Sequence, residues 1–450
     1  GTLKAGDGIR LDEYGFISTL TAGITEIGDL SDVYTNANSM IVGSQPVVEN
    51  LNGVTAFGYN ALSSNTSGAN NTAFGSSSLL SNTSGNNNVA FGVSSLLNNN
   101  TGTFNVAVGN NSLLSNSSGS YNTAVGYASQ VDNTTGKENT SVGYSTLKGN
   151  GTGHFNVALG SYSMFSNESG RNNVAVGWSS LYENQTGSFN IALGSRTLSN
   201  NISGNYNIAL GHSSLKENNG SYNISLGFLS LGNNSTGVNN TAIGANALKS
   251  NTTGNFNIAI GRNAGDKIST GKSNVIIGYN SDPKNNNSEN EIVIGHTTKG
   301  KGSNTISIGN NSSEEVYFGG GNADIYAANF FQTSDFRLKR NIQSLTHGLN
   351  FIMSLNPVSY LKMKISDYTE GSDVKDEDMK HEIGLLAQDV KKASENVGFD
   401  SEIVEVNEEG LHMMDYTKII MPLVKGMQEQ QEIINSLKKE IEDLKKMIKD

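Results

Sequence analysis

One glycine returns every 17 residues over most of the chain, and so short a period limits what the chain can fold into. It stands at Gly58, Gly75, Gly92, Gly109, Gly126, Gly143, Gly160, Gly177, Gly194 and Gly211. It then takes one 16-residue step to Gly227 and resumes at Gly244, Gly261, Gly278 and Gly295. A second glycine keeps the same beat from Gly68 to Gly204. A 17-residue unit cannot bury an apolar face alone, so successive units must stack on one another. Composition agrees: with 35% apolar residues, 52 Gly and 4 Pro, the chain is too polar for an ordinary core and too regular for disorder.

Each unit reads as two short strands separated by turns rich in glycine and asparagine. The first strand is an Asn–apolar–Ala–apolar–Gly segment such as Asn88-Val89-Ala90-Phe91-Gly92 or Asn257-Ile258-Ala259-Ile260-Gly261. Its period of two is a strand signal. Four residues after the glycine a leucine recurs (Leu62, Leu79, Leu96, Leu113 and onward to Leu248), with Gln130 and Met164 in two exceptional turns. The glycines suit corners with positive φ. Fifteen coils at about 4.8 Å each make a rod of roughly 70 Å. The asparagines Asn71, Asn88, Asn105, Asn122, Asn139, Asn156 and Asn173 line up as a ladder that satisfies turn backbone groups. The row Ala73, Ala90, Ala107, Ala124, Ala158, Ala175 and Ala192 offers a flat face of small residues, expected to contact another chain. These features favour a parallel β-roll or β-helix packed as a trimer.

The apolar-Ala-apolar-Gly strand and the Ser/Leu segment after it resemble the head repeats of trimeric autotransporter adhesins and the similar repeats of phage tail fibres. The resemblance covers about residues 54–309 and bears on fold, not on ligand. The first fifty residues, with Gly6-Asp7-Gly8-Ile9 and the alternation at Phe16-Ile17-Ser18, read as a β-rich neck.

Beyond about Gly321 the composition becomes charged and helical. At this border stands Ser334-Asp335-Phe336-Arg337-Leu338-Lys339-Arg340-Asn341-Ile342. Two more blocks follow in order: Ile383-Gly384-Leu385-Leu386-Ala387-Gln388-Asp389-Val390, and Tyr416 leading through Pro422-Leu423-Val424 into a terminal helix. Together they resemble the endosialidase-type C-terminal intramolecular chaperone family. That resemblance implies trimerisation of a β-rich fibre and then autoproteolysis just before the serine. Carried over, the scissile bond is Thr333–Ser334, Ser334 the nucleophile and Lys339 the base, with Asp335 and Arg337 in support. A serine needs a neighbouring base, and a lysine serves only when neutral, through burial or nearby cations such as Arg337 and Arg340. The plainer reading of Ser334-Asp335 is a helix N-cap with a solvated charged turn.

The last segment supports self-association independently. Ile420, Leu423, Met427, Gln430, Ile434, Leu437, Ile441, Leu444 and Ile448 follow a 3–4 spacing, the seam of a coiled coil, with Gln430 as a polar register residue. The alternative is one amphipathic helix packed on its own domain. Trp178 and the aromatics Phe104, Tyr121, Phe155, Phe189, Tyr206, Tyr222 and Phe256 read as one recurring row, more suited to a structural stacking ladder than to a glycan stripe.

Other chemistries find little footing. The chain has 450 residues, no cysteine and a formal net charge of −11, which speaks against thiolate metal sites and a nucleic-acid partner. The six histidines lack ligand spacing, so no metal and no cofactor are expected. No apolar run is long enough for a membrane span. No carboxylate pair suits glycoside hydrolysis.

The expected fold class is therefore mainly β: a 17-residue-repeat parallel β-roll or β-helix forming a homotrimeric fibre, followed by a smaller α+β chaperone domain with a C-terminal coiled-coil helix. The expected divisions are a neck at 1–50, the repeat shaft at 51–320, a linker at 321–333, and the chaperone at 334–450 with its coiled coil at 420–448. The expected function is that of a phage tail fibre or receptor-binding protein located on the virion. Its partners are its own copies and a host receptor, a glycan or outer-membrane component. The alternative is a bacterial trimeric surface adhesin with the same chaperone.

Overall fold

Three-residue strands recur because only three residues of each repeat, such as Val89–Phe91, alternate in extended conformation between two turns. In the computed structural model the described residues are 9–11, 17–20, 33–36, 39–43, 52–313, 339–362, 375–376, 379–399, 402–406 and 410–449. The chain divides into two units, Gly1–Val316 and Tyr317–Asp450. In the first, Val33–Asn36 and Ser39–Gly43 form an antiparallel hairpin, and Ser39–Gly43 then pairs in parallel with Thr55–Gly58. From there each strand pairs in parallel with its counterpart one coil on, in register, to Ile306–Ile308. The result is a parallel β-solenoid of about 15 turns.

Each coil contains one strand, not the two expected. The segment carrying the leucine is a run of turns: Ser94 and Leu96 have φ of 56° and 51°, the left-handed region. A leucine there costs about 1 kcal/mol or more. Burying its side chain completely returns about 1.5–3 kcal/mol, and the Leu96 N–H donates to the Ser112 carbonyl of the next coil at 2.9 Å. The two glycines serve different ends. Gly92 is held at φ 138° with the Gly109 carbonyl where a Cβ would sit, and a Cβ on Gly102, whose φ is not positive, would collide with the Gly119 carbonyl and the Asn99 side chain.

Two asparagine ladders line the interior. In the expected one, the Asn88 N–H and side-chain amide both donate to Asn71 Oδ1, at 2.9 and 3.1 Å, and the amide also donates to the Gly102 carbonyl at 2.9 Å. It continues to Asn274 and includes a 16-residue step at Asn223. The second ladder was not anticipated. Asn99 donates to Asn82 Oδ1 at 2.8 Å and to the same Gly102 carbonyl at 3.1 Å, and the pattern runs from Asn65 to Asn251. Its signal is an asparagine three residues before the second glycine in most coils. Every rung is fully buried, so the ladders pair the polar groups that the narrow interior removes from water.

The alanine row lies inside, which overturns its expected role as a face toward another chain. Ala73, Ala90 and Ala107 are completely buried and pack with the leucines. With asparagine and leucine columns already filling the coil, only a small side chain fits the inward strand position, and the larger apolar residues must point out. Where glycine takes the leucine's place, the alanine grows: Gly265 replaces leucine while Ile276 replaces alanine, and Ile268 joins the core beside them. Such compensation keeps the core volume nearly constant.

The second unit contains helix α1 (Leu349–Ser354), an antiparallel pair Val358–Lys362 with Lys380–Gly384, helix α2 (Ala387–Val397), and the pair Val404–Val406 with His412–Met414. Helix α3 (Ile420–Lys449) follows. Phe351, Val390, Ala393 and Ile403 form its small core, and the Phe351 and Phe399 rings meet at 5.2 Å. Gly398 closes α2 in a left-handed conformation, φ 71°, as a glycine C-cap does.

Candidate functional site

The outward positions of the strands make the most distinctive surface of the solenoid. In each strand the central residue, alanine in most coils, points in and its two neighbours point out, so two columns of Thr, Val, Ile, Leu and Phe run the length of the stack. Phe57, Phe74 and Phe91 stack in one column, with ring centroids 4.9 and 4.6 Å apart. Further along, Ile191, Ile208, Ile224 and Ile258 continue the other, each more than one-third exposed. A strip two columns wide and roughly 70 Å long exceeds the few hundred Å² of contiguous apolar surface usual on a monomer. The opposite face is polar, as at Asn98, Asn100 and Thr101.

Aromatic side chains flank this strip in two columns. Phe104 and Tyr121 stack at 5.0 Å; Phe189, Tyr206 and Tyr222 stack at 4.9 and 5.0 Å, with planes within 5°. The stacking ladder expected from the sequence is thus present in part. Trp178 does not belong to it. It follows a repeat glycine, as Tyr127 and Tyr144 do, and the Arg196 guanidinium lies 4.7 Å from its ring centre.

The residues assigned to self-cleavage are mostly outside the described part of the chain. Thr333, Ser334, Asp335 and Arg337 lie there. Lys339 is described; it is exposed, and the Arg340 guanidinium donates to its carbonyl at 3.0 Å. The Ile383-to-Val390 block opens α2: the Leu385 N–H donates to the Tyr416 hydroxyl at 2.9 Å, tying that block to the turn that leads into the terminal helix. The Leu349 N–H donates to the Glu429 carboxylate at 2.7 Å, tying α1 to α3.

The residues assigned to the coiled-coil seam lie on the surface of helix α3. Ile434, Leu437, Ile441 and Leu444 are all exposed, as are Ile420, Leu423 and Met427 nearer its start. Among the described residues there is no cluster of three or more potential metal ligands, and no helix is long and apolar enough to cross a membrane.

No curated protein and no solved structure matches the chain. The family model described as chaperone of endosialidase matches residues 334–399. Those residues include the Ser334 motif, α1, the first antiparallel pair and α2. The C-terminal unit thus carries, over residues 334–399, a domain of the chaperone-of-endosialidase family.

Proposed function

We propose that this chain is the subunit of a homotrimeric tail fibre exposed on a virion, that its solenoid is the shaft that meets the host receptor, and that its C-terminal unit aligns three chains and then cuts itself off at Thr333–Ser334. The observation that carries the reading is the apolar strand strip, whose outward Val, Ile and Phe columns need a partner along the whole stack. The seam of α3 asks for the same thing, and the chaperone-of-endosialidase match gives the C-terminal unit a fitting role.

A chaperone answers a physical problem of this shaft. Neighbouring coils are nearly alike, so three chains can pair one coil out of step at little cost, and non-local β pairing is slow. A unit that sets the register first removes that error. Cleavage then takes away the route back and leaves the fibre kinetically trapped.

For the cut, Ser334 Oγ attacks the Thr333 carbonyl carbon while the neutral Lys339 amine takes the hydroxyl proton and passes it to the departing amide nitrogen. The peptide bond becomes an ester, and water hydrolyses the ester to a Thr333 carboxylate and a free Ser334 hydroxyl. Lys339 is exposed in the single chain, so the burial that frees its amine has to come from assembly. The test is native mass together with denaturing electrophoresis, comparing wild type with Ser334→Ala. A wild-type trimer yielding fragments 1–333 and 334–450, uncut in the variant, supports the reading. A trimer that stays whole makes residues 334–450 a permanent cap, and a monomer removes the fibre itself.

A further inference from the structure

Charge is missing from the first coils: residues 51–131 contain no Asp, Glu, Lys, Arg or His. It then appears in a pattern. Lys137, His154 and Arg171 follow one another at 17-residue steps, so they hold the same position in three consecutive coils, about 4.8 Å apart along the stack. The alignment is fixed by the backbone, since Phe155 N–H donates to the Lys137 carbonyl at 3.1 Å and Asn172 N–H to the His154 carbonyl at 3.1 Å. The Lys137 N–H donates to His154 Nδ1 at 3.0 Å, leaving Nε2 to carry the ring hydrogen outward.

Stability accounts for His154, whose Nδ1 accepts the backbone hydrogen bond that Ser120, Ser188 and Asn205 accept in other coils, but not for Lys137 and Arg171. Stacked like charges repel, and elsewhere in the solenoid Lys216, Lys267, Lys272 and Lys299 each reach a carboxylate. Among the described residues Lys137 and Arg171 have no ion-pair partner, and both are exposed. The next column adds a second observation. Phe155 has Glu138 and Asn172 above and below it, so its ring lacks the stacked neighbours that Phe189, Tyr206 and Tyr222 give one another, and it is half-exposed.

We infer that Lys137, His154 and Arg171, with the open ring of Phe155, form a binding site for an anionic polysaccharide lying along the shaft. Two fixed cations two coils apart match acidic groups spaced along a polymer. The half-exposed ring suits the apolar face of a sugar, while Glu138 and Asn172 offer acceptors and donors to its hydroxyls. Charge complementarity selects the occupant, because an otherwise acidic chain presents here two exposed cations and a histidine in line, with Glu138 as the one carboxylate in the adjoining column. This inference rests on the reading of the chain as a surface fibre and names the class of receptor.

The experiment uses the assembled full chain and three probes of similar length: polygalacturonate, dextran sulfate and uncharged dextran, with single-stranded DNA as a further control. Binding to one or both acidic polysaccharides, weakened by salt as the screening length falls below about 8 Å, is expected. Polygalacturonate alone would indicate carboxylate recognition and dextran sulfate alone sulfate recognition. The double variant Lys137→Gln with Arg171→Gln should lose about tenfold or more, the scale of two charge-assisted hydrogen bonds, and Phe155→Ala should lose several-fold. Equal binding of uncharged dextran, equal binding of DNA, or undiminished binding by the double variant would overturn the inference. So would a double variant that binds normally but melts earlier, because the cations would then pair between chains. Native mass is recorded for each sample: failure to form a trimer counts against the fibre, while loss of binding contrast in an intact trimer counts against this site alone.

Discussion

The Gln130 side-chain amide donates to the Ser141 hydroxyl at 2.8 Å in the solenoid interior, where other coils set leucine against alanine. The same amide reaches the Thr123 carbonyl at 3.1 Å, and Ser141 Oγ lies 2.5 Å from Ser129 Oγ. This polar plug separates the apolar core into one cluster ending at Ala124 and another beginning at Leu147. Gln130 Oε1 is buried without a partner, which costs about 1–3 kcal/mol. The double variant Gln130→Leu with Ser141→Ala should therefore stabilise the shaft by about 2 kcal/mol or more in chemical unfolding. Ser141→Ala alone should destabilise it by about 1 kcal/mol, since the glutamine loses a partner and gains nothing. If both raise stability equally, the hydrogen bonds of the plug contribute nothing.

A second prediction concerns the ladder that meets at Gly102. Asn99 gives two hydrogen bonds and accepts one from Asn116 at 2.7 Å, all in the interior. Asn99→Ala removes all three and leaves buried groups unpaired, so it should cost about 3 kcal/mol or more. Its neighbour Asn98 is exposed, and Asn98→Ala should change stability by no more than about 0.5 kcal/mol. Denaturant midpoints of the two variants check this, and a similar small loss in both would mean that the rungs are not what holds successive coils together.

Much of this architecture was legible because a repeat multiplies weak signals. One Asn-Val-Ala-Phe-Gly segment says little, while fifteen at a fixed step specify stacked strands and the asparagine ladder through Asn88. The direction of the strand was not legible. Alternation at Val89-Ala90-Phe91 defines two faces but not which is inner, and the choice follows from interior space already claimed by Leu96, Asn88 and Asn99. The second ladder through Asn99 is written as Asn-x-x-Gly, a spacing that turn composition alone also produces. The positive φ of Leu96 had no local signal, since leucine reaches it only where stacking bonds and burial outweigh the strain. For the cut, motif likeness singled out Ser334 and Lys339; of these only Lys339 is among the described residues, and it lies on the surface.

The last coils should respond to acid in two phases. Asp282 stands in the leucine position, its side chain 5% exposed, with Lys299 and Lys267 at 2.7 and 3.1 Å. Burial pushes its carboxyl up, but the hydrogen bonds from Lys299 and Lys267 outweigh that and hold it below the ordinary range. Asp266 is raised, by burial first and then by its hydrogen bond with Asp282 and the charge there. A lowered acid stabilises the fold above its unfolded value of about 3.9 and loses this as pH falls through the folded value. A raised acid stabilises it below about 3.9 and loses this as pH rises through its elevated folded value. Acidification from neutral should thus first protonate Asp266 and tighten residues 261–299, then below about pH 4 discharge Asp282 and loosen them. Hydrogen exchange corrected for intrinsic rate reads this directly, with the charge-free coils of residues 52–131 as the internal control. A steady loss of protection from neutral pH downward would reverse the role given to Asp266.

The strand strip makes the sharpest demand on assembly. Ile208 points outward and is 36% exposed, while Ala209 beside it is fully buried in the chain's own core. In a single chain Ile208→Lys places an ammonium at the surface and should cost under about 0.5 kcal/mol. In a trimer built on this strip the same change buries three unpaired charges near one another, each costing several kcal/mol. Folding of the coil should survive, as shown by unchanged far-ultraviolet circular dichroism, but shaft association should not. Once the C-terminal unit is cut away, fragments 1–333 of this variant should run as monomers in native mass measurements. Asn98→Lys, on the polar face, should leave a trimer. A stable trimeric shaft carrying lysine at position 208 would mean that the chains meet through another surface, and the strip would need a different partner.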